Sequence, residues 1–186
     1  VGLINNDTEV IDSGWLTEMV SQALRPDVGC VGAKLYYSND QVQHGGVIIG
    51  LGGIAGHSHK YYPRVSPGYF GRLVLAQELS AVTAACLLIR KSVYDEVGGL
   101  DEGLKVAFND VDFCLRVREA GYRNIFTPYA ALYHLESISR GFEDTPEKLK
   151  RFQSEMKYLT DRWGEQLLVD PTYSPTLTLD TENFAL

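Results

Sequence analysis

An uninterrupted apolar run is the strongest constraint on what this chain can fold into. It is the segment SAVTAACLLIRK, at positions 80–91. Such a run is typical of a strand buried on both faces, and strands of that kind occur in sheets that helices cover on both sides. Helical patterns lie on either side of it along the chain, in GWLTEMVSQAL and NDVDFCLRVREAGY. The alternation of strand and helix patterns predicts an α/β domain.

Two further strand regions can be predicted from local patterns. VGCVGAKLYY reads as a strand, and the turn at Asn39–Asp40 leads into a returning strand, QVQHGGVIIG. RNIFTPYAALYHL is expected to form two short strands around Thr127–Pro128.

The composition excludes several classes of function. With 186 residues, of which 45% are hydrophobic and 22% charged, the chain is long enough for one domain with a real core. A formal net charge of −7 argues against a nucleic-acid polymer as partner, because such proteins carry a basic face. The three cysteines all lie in apolar runs, which fits buried free thiols in a reducing cytoplasm. The longest strongly apolar run is far shorter than the ~20 residues that span a bilayer, so no transmembrane segment is expected.

Polar side chains follow the first strand pattern, in LINNDTEV at 3–10. Asn5, Asn6 and Asp7 come directly after apolar residues. A tight turn uses such residues, and so does a site that holds a divalent cation. The local sequence leaves both interpretations open.

A second polar cluster follows a later strand pattern, in LYHLESISRG. His134 ends the strand, and ligands of α/β sheets bind outside the carboxyl ends of strands. His134 and Asp7 are therefore reasonable ligands for manganese or a similar ion. Arg140 could bind a phosphate as a bidentate donor.

The helix pattern NDVDFCLR begins with Asn109 and Asp110. Both residue types are preferred N-caps, but a carboxylate at a helix end beside a cleft can also act as a general base. The sequence leaves these two roles of Asp110 equally open. Asp112 lies on another face of the helix and is spaced to pair with Arg116, so we expect it to be structural.

Two motifs suggest sites that the surrounding sequence does not support. GLGGIAG, at 50–56, has the glycine spacing of a dinucleotide-binding turn, but no helix pattern follows it. A long loop is expected at 50–71 instead. The histidines lack the spacing of a zinc site, and we expect His57 and His59 to be solvated or hydrogen-bonded loop residues.

Taken in order, several segments resemble family 2 glycosyltransferases. They are NNDTEVIDSGWL, VGAKLYYSNDQVQHGG, VTAACLLIRKSVYDEVGGLDE, NDVDFCLRVREAGYRN and YHLES. The tail DPTYSPTLTLDTENFAL resembles the end of this domain in bacterial polysaccharide and O-antigen glycosyltransferases. The resemblance implies a GT-A fold, a mixed sheet flanked by helices, in residues 1–164. Residues 165–186 would be an irregular extension of the same domain.

The resemblance also implies how the donor is bound. Asn5, Asn6 and Asp7 stand at the D-x-D-like motif of the family, with Asn5 replacing the first carboxylate. Asp7 would bind Mn²⁺ or Mg²⁺, and His134 would be the second protein ligand. Asn5, Asn6 and Arg140 would bind the diphosphate and sugar of the donor.

The remaining matches concern the acceptor. Asp110 matches the carboxylate that deprotonates the acceptor hydroxyl, in an Asn-Asp version of the family's Glu-Asp pair. Asn109, Thr83 and Ala84 would then contact the acceptor.

The function implied is transfer of a sugar from a nucleotide-sugar to a glycan or lipid-linked acceptor in cell-surface polysaccharide synthesis. A single displacement would invert the anomeric centre. The Gln-x-x-Arg-Trp motif of processive members is not found, which favours addition of a single sugar. The full-length protein is expected in the cytoplasm, at the inner face of the membrane. The competing hypothesis is a remnant without catalytic activity that binds glycan or scaffolds a partner, and Asn5 favours it.

The position of the D-x-D-like motif in the chain leads to a further expectation. In the family, the nucleotide-binding half precedes this motif, whereas here the chain begins at Val1, inside the strand that carries it. The resemblance therefore predicts the C-terminal part of a catalytic domain that transfers no sugar by itself. Its sheet would have an uncovered edge, which a homodimer could cover.

Overall fold

The computed structural model describes residues 1–135 and 145–186, in which strands and helices alternate. The strands are β1 (Gly2–Ile4), β2 (Thr8–Val10), β3 (Val28–Tyr36), β4 (Val42–His44), β5 (Val47–Ile49), β6 (Ala55–His57), β7 (Gln77–Leu79), β8 (Cys86–Leu88) and β9 (Arg123–His134). The helices are α1 (Trp15–Ala23), α2 (Lys91–Glu96), α3 (Asn109–Glu119) and α4 (Pro146–Trp163), with short 3-10 turns at Leu51–Gly53, Tyr69–Gly71 and Gly164–Leu167. The predicted α/β class is confirmed.

Seven of the described strands form one mixed sheet. Its main order is β1-β8-β3-β9-β2, with β4 beside β3 and β7 beside β9. The two longest strands, β3 and β9, are parallel, while the other pairs in this sheet are antiparallel. Because β3 and β9 are parallel, their carboxyl ends meet at one edge of the sheet.

Alternate residues of the two central strands pack on opposite faces of the sheet. Cys30 and Phe126 belong to a core that includes residues of α3 and α4. Val31 and Ile125 belong to a second core that includes residues of α1. Helices therefore cover both faces, as the apolar run in the sequence predicts.

The apolar run at 80–91 is almost entirely buried, but only Cys86–Leu88 forms a strand. Ahead of β8, the amides of Thr83 and Ala84 donate to side chains instead of to a neighbouring strand. Thr83 N donates to His44 Nε2 at 3.4 Å, and Ala84 N donates to Asp110 Oδ2 at 3.1 Å. The strand is shorter than expected because the amides of Thr83 and Ala84 donate to side chains and therefore do not pair with a neighbouring strand.

The prediction of two short strands around Thr127–Pro128 is wrong, because β9 runs through both residues. Thr127 pairs with Ala33 and Ala131 pairs with the next residue of β3, Lys34. The three residues in between form a bulge, which accommodates a proline that has no N–H to donate. The strand therefore continues to His134.

Helices α3 and α4 are joined by the carboxylate of Asp112, which is fully buried. Its Oδ2 accepts a hydrogen bond from Arg116 Nε at 2.8 Å, the pair expected from the sequence. Its Oδ1 accepts from Trp163 Nε1 at 3.0 Å and lies 3.3 Å from Arg162 Nε. One carboxylate thus satisfies donors from two helices.

The last residues pack against β5 despite having little regular structure. Asp170 is buried and accepts hydrogen bonds from Ile49 N at 2.7 Å and Ser80 Oγ at 2.6 Å. Tyr173 and Phe184 belong to a small apolar cluster with Ile48. The tail is therefore anchored by one buried carboxylate and by aromatic packing.

None of the helices in the described part of the chain combines the length and the apolar character needed to cross a membrane.

We expect Asp112→Ala to lower the free energy of unfolding by about 3–5 kcal/mol, because it leaves the largely buried guanidinium of Arg116 without its counter-ion. Urea denaturation measures this loss. The matched control is Asp161→Ala, which removes an exposed pair with Lys157 and should cost less than about 1 kcal/mol. Equal losses in the two variants would contradict the role of Asp112.

Candidate active site

A cleft of about 690 Å³ opens between β1, the segment that precedes β8, and the start of α3. Its wall includes residues that the sequence singled out and that are far apart along the chain: Asn5, Thr83, Ala84, Asn109, Asp110 and His134. Asn6 is exposed and is not among the described residues that line this cleft. Arg140 lies outside the described residues.

Asp7 and His134 are in contact, with 3.2 Å between Asp7 Oδ1 and His134 Nε2. Their side chains are only 14% and 13% exposed. The sheet explains this contact, because β2 pairs with the end of β9 and aligns Thr8 with His134. In addition, Leu135 N donates to the carbonyl of Asp7 at 2.8 Å. Backbone pairing therefore brings together two residues that are more than a hundred positions apart.

Gln43 fixes the orientation of the His134 ring. Its Oε1 lies 2.7 Å from His134 Nδ1, and its Nε2 donates to the His134 carbonyl at 3.2 Å. Because an amide oxygen only accepts, Nδ1 of His134 carries a proton, whereas Nε2 faces the NH₂ of Asn5, which can only donate. Nε2 also accepts from Asn5 Nδ2 at 3.0 Å. A hydrogen bond to the distal ring nitrogen is the usual support of a metal-binding histidine.

The geometry of this pair fits a divalent cation. Two neighbouring ligands of an octahedral ion with bonds of about 2.1 Å lie about 3 Å apart. Asp7 Oδ1 and His134 Nε2 have nearly this separation. Within residues 1–135 and 145–186, no group of three or more His, Cys, Asp or Glu side chains could hold a metal. The described side chains thus offer a pair of ligands, and a bound molecule would have to complete the coordination.

Asp110 lies in the first turn of α3, but neither it nor Asn109 is the N-cap. The N-cap is Phe108, whose φ of 62° lies in the left-handed region. Asp110 Oδ2 instead accepts from Ala84 N at 3.1 Å, and its Oδ1 accepts from Val111 N at 2.9 Å. The helix-cap interpretation of Asp110 is therefore wrong, and its carboxylate is held in the wall of the cleft.

Phe108 has a conformation that is costly for a bulky side chain, by roughly 1–3 kcal/mol. The turn directs the chain so that Asn109 and Asp110 both line the cleft. Strain of this kind is concentrated at functional sites.

Glu155 of α4 is a contributor to the cleft that the sequence reasoning missed. Its buried carboxylate accepts three backbone hydrogen bonds, from Lys105 N at 3.0 Å, Val106 N at 3.2 Å and Ala107 N at 2.8 Å. These three residues line the cleft just ahead of α3. No local pattern indicates this role, because Glu155 lies about 50 positions away in a helix with many charged residues.

Lysine side chains add positive charge to the cleft. Lys60 and Lys105 both lie in its wall, although the chain has a net charge of −7. Lys60 Nζ lies 5.2 Å from the ring centroid of Tyr61, within the range of a cation–π contact. The wall of the cleft is therefore more favourable to an anionic ligand than the net charge of the whole chain would suggest.

His59 has a structural role. It is completely buried, its Nε2 accepts from Tyr69 N at 3.0 Å, and its Nδ1 lies 3.1 Å from Ser58 Oγ. Burial, reinforced by the nearby charge of Arg72, lowers the pKa of His59 to about 3. Of the two expectations for this residue, hydrogen bonding is confirmed and solvation is wrong.

The sequence matches the model of a family described as "Glycosyltransferase like family 2" over residues 1–157. The chain belongs to this glycosyltransferase family. The resemblance inferred from the sequence motifs is thereby confirmed, and the mixed sheet with its helices is consistent with a GT-A-like domain.

Relatives of this family 2 domain include much longer proteins. The uncharacterized protein y4gI of Sinorhizobium fredii is 57% identical over 187 residues, which cover 100% of this chain and 21% of that protein. The O-antigen biosynthesis protein RfbC of Myxococcus xanthus is 38% identical over 185 residues, which cover 98% of this chain and 14% of that protein.

A third relative is more distant. The N-acetylglucosaminyl-diphospho-decaprenol L-rhamnosyltransferase of Mycobacterium tuberculosis is 31% identical over 81 residues, which cover 44% of this chain and 26% of that protein. The chain thus spans about a fifth of the Sinorhizobium protein and about a seventh of the Myxococcus protein.

We expect Glu155→Ala to lower the free energy of unfolding by about 2–4 kcal/mol, because three amides lose a charged acceptor. Hydrogen exchange at the amides of 105–107 should accelerate more than exchange elsewhere in the chain. The control is Glu147→Ala in the exposed first turn of the same helix, expected to cost less than about 1 kcal/mol. Unchanged exchange at 105–107 would show that Glu155 does not hold this segment.

Proposed function

We propose that the full-length protein that contains this domain transfers a sugar from a nucleotide-sugar donor to a hydroxyl of a glycan or lipid-linked acceptor. The observation that carries the proposal is one cleft lined by Asp110, at a helix end, and by His134, at a strand end, where His134 also contacts Asp7. Transfer to a hydroxyl requires a base and a means of stabilising the leaving diphosphate. Asp110 is the candidate base. Asp7 and His134 are the candidate ligands of an ion that would stabilise the leaving diphosphate.

On the donor side, Asp7 and His134 would hold Mn²⁺ or Mg²⁺. The ion, when bound, would neutralise charge that develops on the leaving diphosphate. The 3.2 Å separation and the hydrogen bond between His134 Nδ1 and Gln43 support this assignment. Asn5, which already contacts His134, would bind the donor beside the ion.

Two further donor contacts are proposed on the family resemblance alone. Asn6 would hydrogen-bond the donor from its exposed position, and Arg140 would pair with its diphosphate. Lys60 and Lys105 in the cleft wall are additional partners for the negative charge of a nucleotide-sugar.

On the acceptor side, Asp110 would take the proton of the attacking hydroxyl. The acceptor oxygen forms its bond to the anomeric carbon as the bond from that carbon to the diphosphate oxygen breaks. A single displacement of this kind inverts the anomeric centre. Thr83, Ala84 and Asn109, which share the wall with Asp110, would position the acceptor.

The names of the relatives support a setting in cell-surface polysaccharide synthesis. One relative is named for O-antigen biosynthesis, and another for transfer of rhamnose to a lipid-diphosphate-linked sugar. We propose a comparable role for the full-length protein, at the inner face of the membrane.

The share of its relatives that the chain covers is compatible with a domain whose nucleotide-binding half lies elsewhere in a longer protein. In this proposal the chain alone is inactive. A homodimer could cover the edge strand β1, because the side chains of Ile4 in this strand and of the preceding Val1 are exposed.

One contact favours the alternative, a glycan-binding remnant without catalytic activity. Asn5 stands where the family has a carboxylate, and its Nδ2 donates directly to His134 Nε2 at 3.0 Å. This hydrogen bond occupies the lone pair that a metal ion would need. A metal-binding measurement separates the two functions.

We expect Asp7→Ala and His134→Ala each to weaken Mn²⁺ binding by about tenfold or more, since each removes one of the proposed protein ligands. Calorimetry with MnCl₂, in the presence of nucleoside diphosphates, measures the affinity without requiring turnover.

The matched control for this measurement is Asp180→Ala, which removes an exposed carboxylate outside the cleft wall. Its Mn²⁺ affinity should equal that of the wild type. Wild-type affinity in the Asp7 and His134 variants would instead favour the remnant.

We expect Asp110→Asn to reduce the transfer rate of the full-length protein by about 10²- to 10⁴-fold, because an amide cannot take a proton. Asn keeps an oxygen for only one of the two amides, of Ala84 or of Val111, so we also expect a lower melting temperature, and the rate is compared well below the melting transition of the variant. A rate within about threefold of wild type would exclude a general-base role for Asp110.

A further inference from the structure

The proposed reaction gives no role to two phenylalanines of the cleft wall. Phe108 directly precedes α3, and Phe152 lies in α4. Both residues line the cleft, and their ring centroids lie 5.4 Å apart with 42° between the ring planes. At this separation two aromatic rings stabilise each other. We call these two residues the phenylalanine pair.

Glu155 fixes the position of the phenylalanine pair. It lies three residues after Phe152, on the same face of α4. Its carboxylate accepts hydrogen bonds from the amides of 105–107, which immediately precede Phe108. Helix α4 therefore carries one ring of the pair and also holds the backbone that leads to the other ring.

The backbone of Phe108 is a second, independent observation. Its φ of 62° is strained for a bulky residue, whereas a glycine would make the same turn without strain. The side chain of Phe108 must therefore offset this cost by contacts of its own. Some of these are with the core that includes residues of α3 and α4, but Phe108 is only partly buried and also lies in the cleft wall.

The surroundings of the pair indicate which kind of ligand it fits. Asn109 and Asp110 follow Phe108 in the chain and line the same cleft. Aromatic surface beside a few polar groups is typical of sites that bind a ligand with both apolar and polar parts. A pyranose ring is such a ligand, since its faces carry C–H bonds and its edge carries hydroxyls. An alkyl chain would fit the two rings but would form no hydrogen bond with Asn109 or Asp110.

We propose that the phenylalanine pair is the platform on which a pyranose ring of the acceptor stacks, so that a hydroxyl at the edge of the ring is directed towards Asp110. This inference rests on the proposed function, because it assumes that the acceptor occupies the cleft beside Asp110. Phe108 and Phe152 would then select acceptors that present a sugar ring, and they take no part in proton transfer.

The first test reads the stacking directly. An aromatic ring shifts the NMR signals of protons above its face upfield. We expect the C–H protons of methyl glycosides of hexoses and 6-deoxyhexoses to shift upfield when the chain is added, and to shift less with Phe152→Leu. Octyl glycosides form the second arm, and upfield shifts confined to the octyl chain would overturn the inference in favour of a lipid tail.

The second test measures affinity for the methyl glycosides through the chemical shift of the Ala84 amide. Phe152→Leu keeps an apolar side chain on a regular helix but has no aromatic face, so we expect it to weaken binding about 3- to 10-fold. Phe152→Tyr restores an aromatic face and should retain the wild-type affinity. Phe108→Leu should weaken binding as Phe152→Leu does.

Phe70→Leu is the matched control for these substitutions. Phe70 also has a φ in the left-handed region, at 47°, but it is 87% exposed and is not among the described residues that line the cleft. Its substitution should leave the affinity unchanged. A hexitol, which has hydroxyls but no ring, should bind more weakly than the glycosides and equally to all variants. Equal glycoside affinities in all variants, or no wild-type response to any glycoside, would overturn the inference.

The two proposals fail in different ways. Loss of Mn²⁺ binding in Asp7→Ala, together with equal glycoside affinities in the Phe152 variants, would retain the proposed transferase and reject the platform. The expected upfield shifts and glycoside affinities, together with unaltered Mn²⁺ binding in Asp7→Ala, would retain the platform and reject the metal-dependent transferase.

Discussion

The parallel pairing of β3 with β9 is the interaction on which the rest of the structure depends. It fixes the edge of the sheet at which both strands end, and helices then cover both faces. β2 pairs with the end of β9, which places Asp7 against His134. The strand-end part of the cleft is thus a consequence of strand pairing and does not require a dedicated loop.

The opposite wall depends on backbone amides that regular secondary structure leaves available. Thr83 and Ala84 precede β8 and donate to His44 and Asp110. Likewise, the amides of 105–107, just ahead of α3, donate hydrogen bonds to the carboxylate of Glu155. A buried amide must find an acceptor, so each of these side chains is held in place by the backbone that it satisfies.

Much of the fold could be predicted from the sequence, because burial and helix periodicity are local signals. The α/β class, the buried run at 80–91 and the pair between Asp112 and Arg116 all follow from such signals. The contacts of Gln43 and Glu155 could not be predicted, since each joins positions about 50 or more apart. The role of Asp110 could not be decided from the sequence, because its local pattern fits a helix cap as well as a general base, and its contact with Ala84 joins positions 26 apart.

The most direct measurement is anomalous X-ray diffraction at the manganese edge from crystals of the protein grown with MnCl₂ and a nucleoside diphosphate. We expect one peak within bonding distance of Asp7 and of His134 Nε2, on the side of the cleft that also holds Asp110. The Asn5 amide should have moved away from His134 to make room for the ion. A peak elsewhere, or an Asn5–His134 hydrogen bond that persists at saturating Mn²⁺, would contradict a metal-assisted transferase site in this cleft.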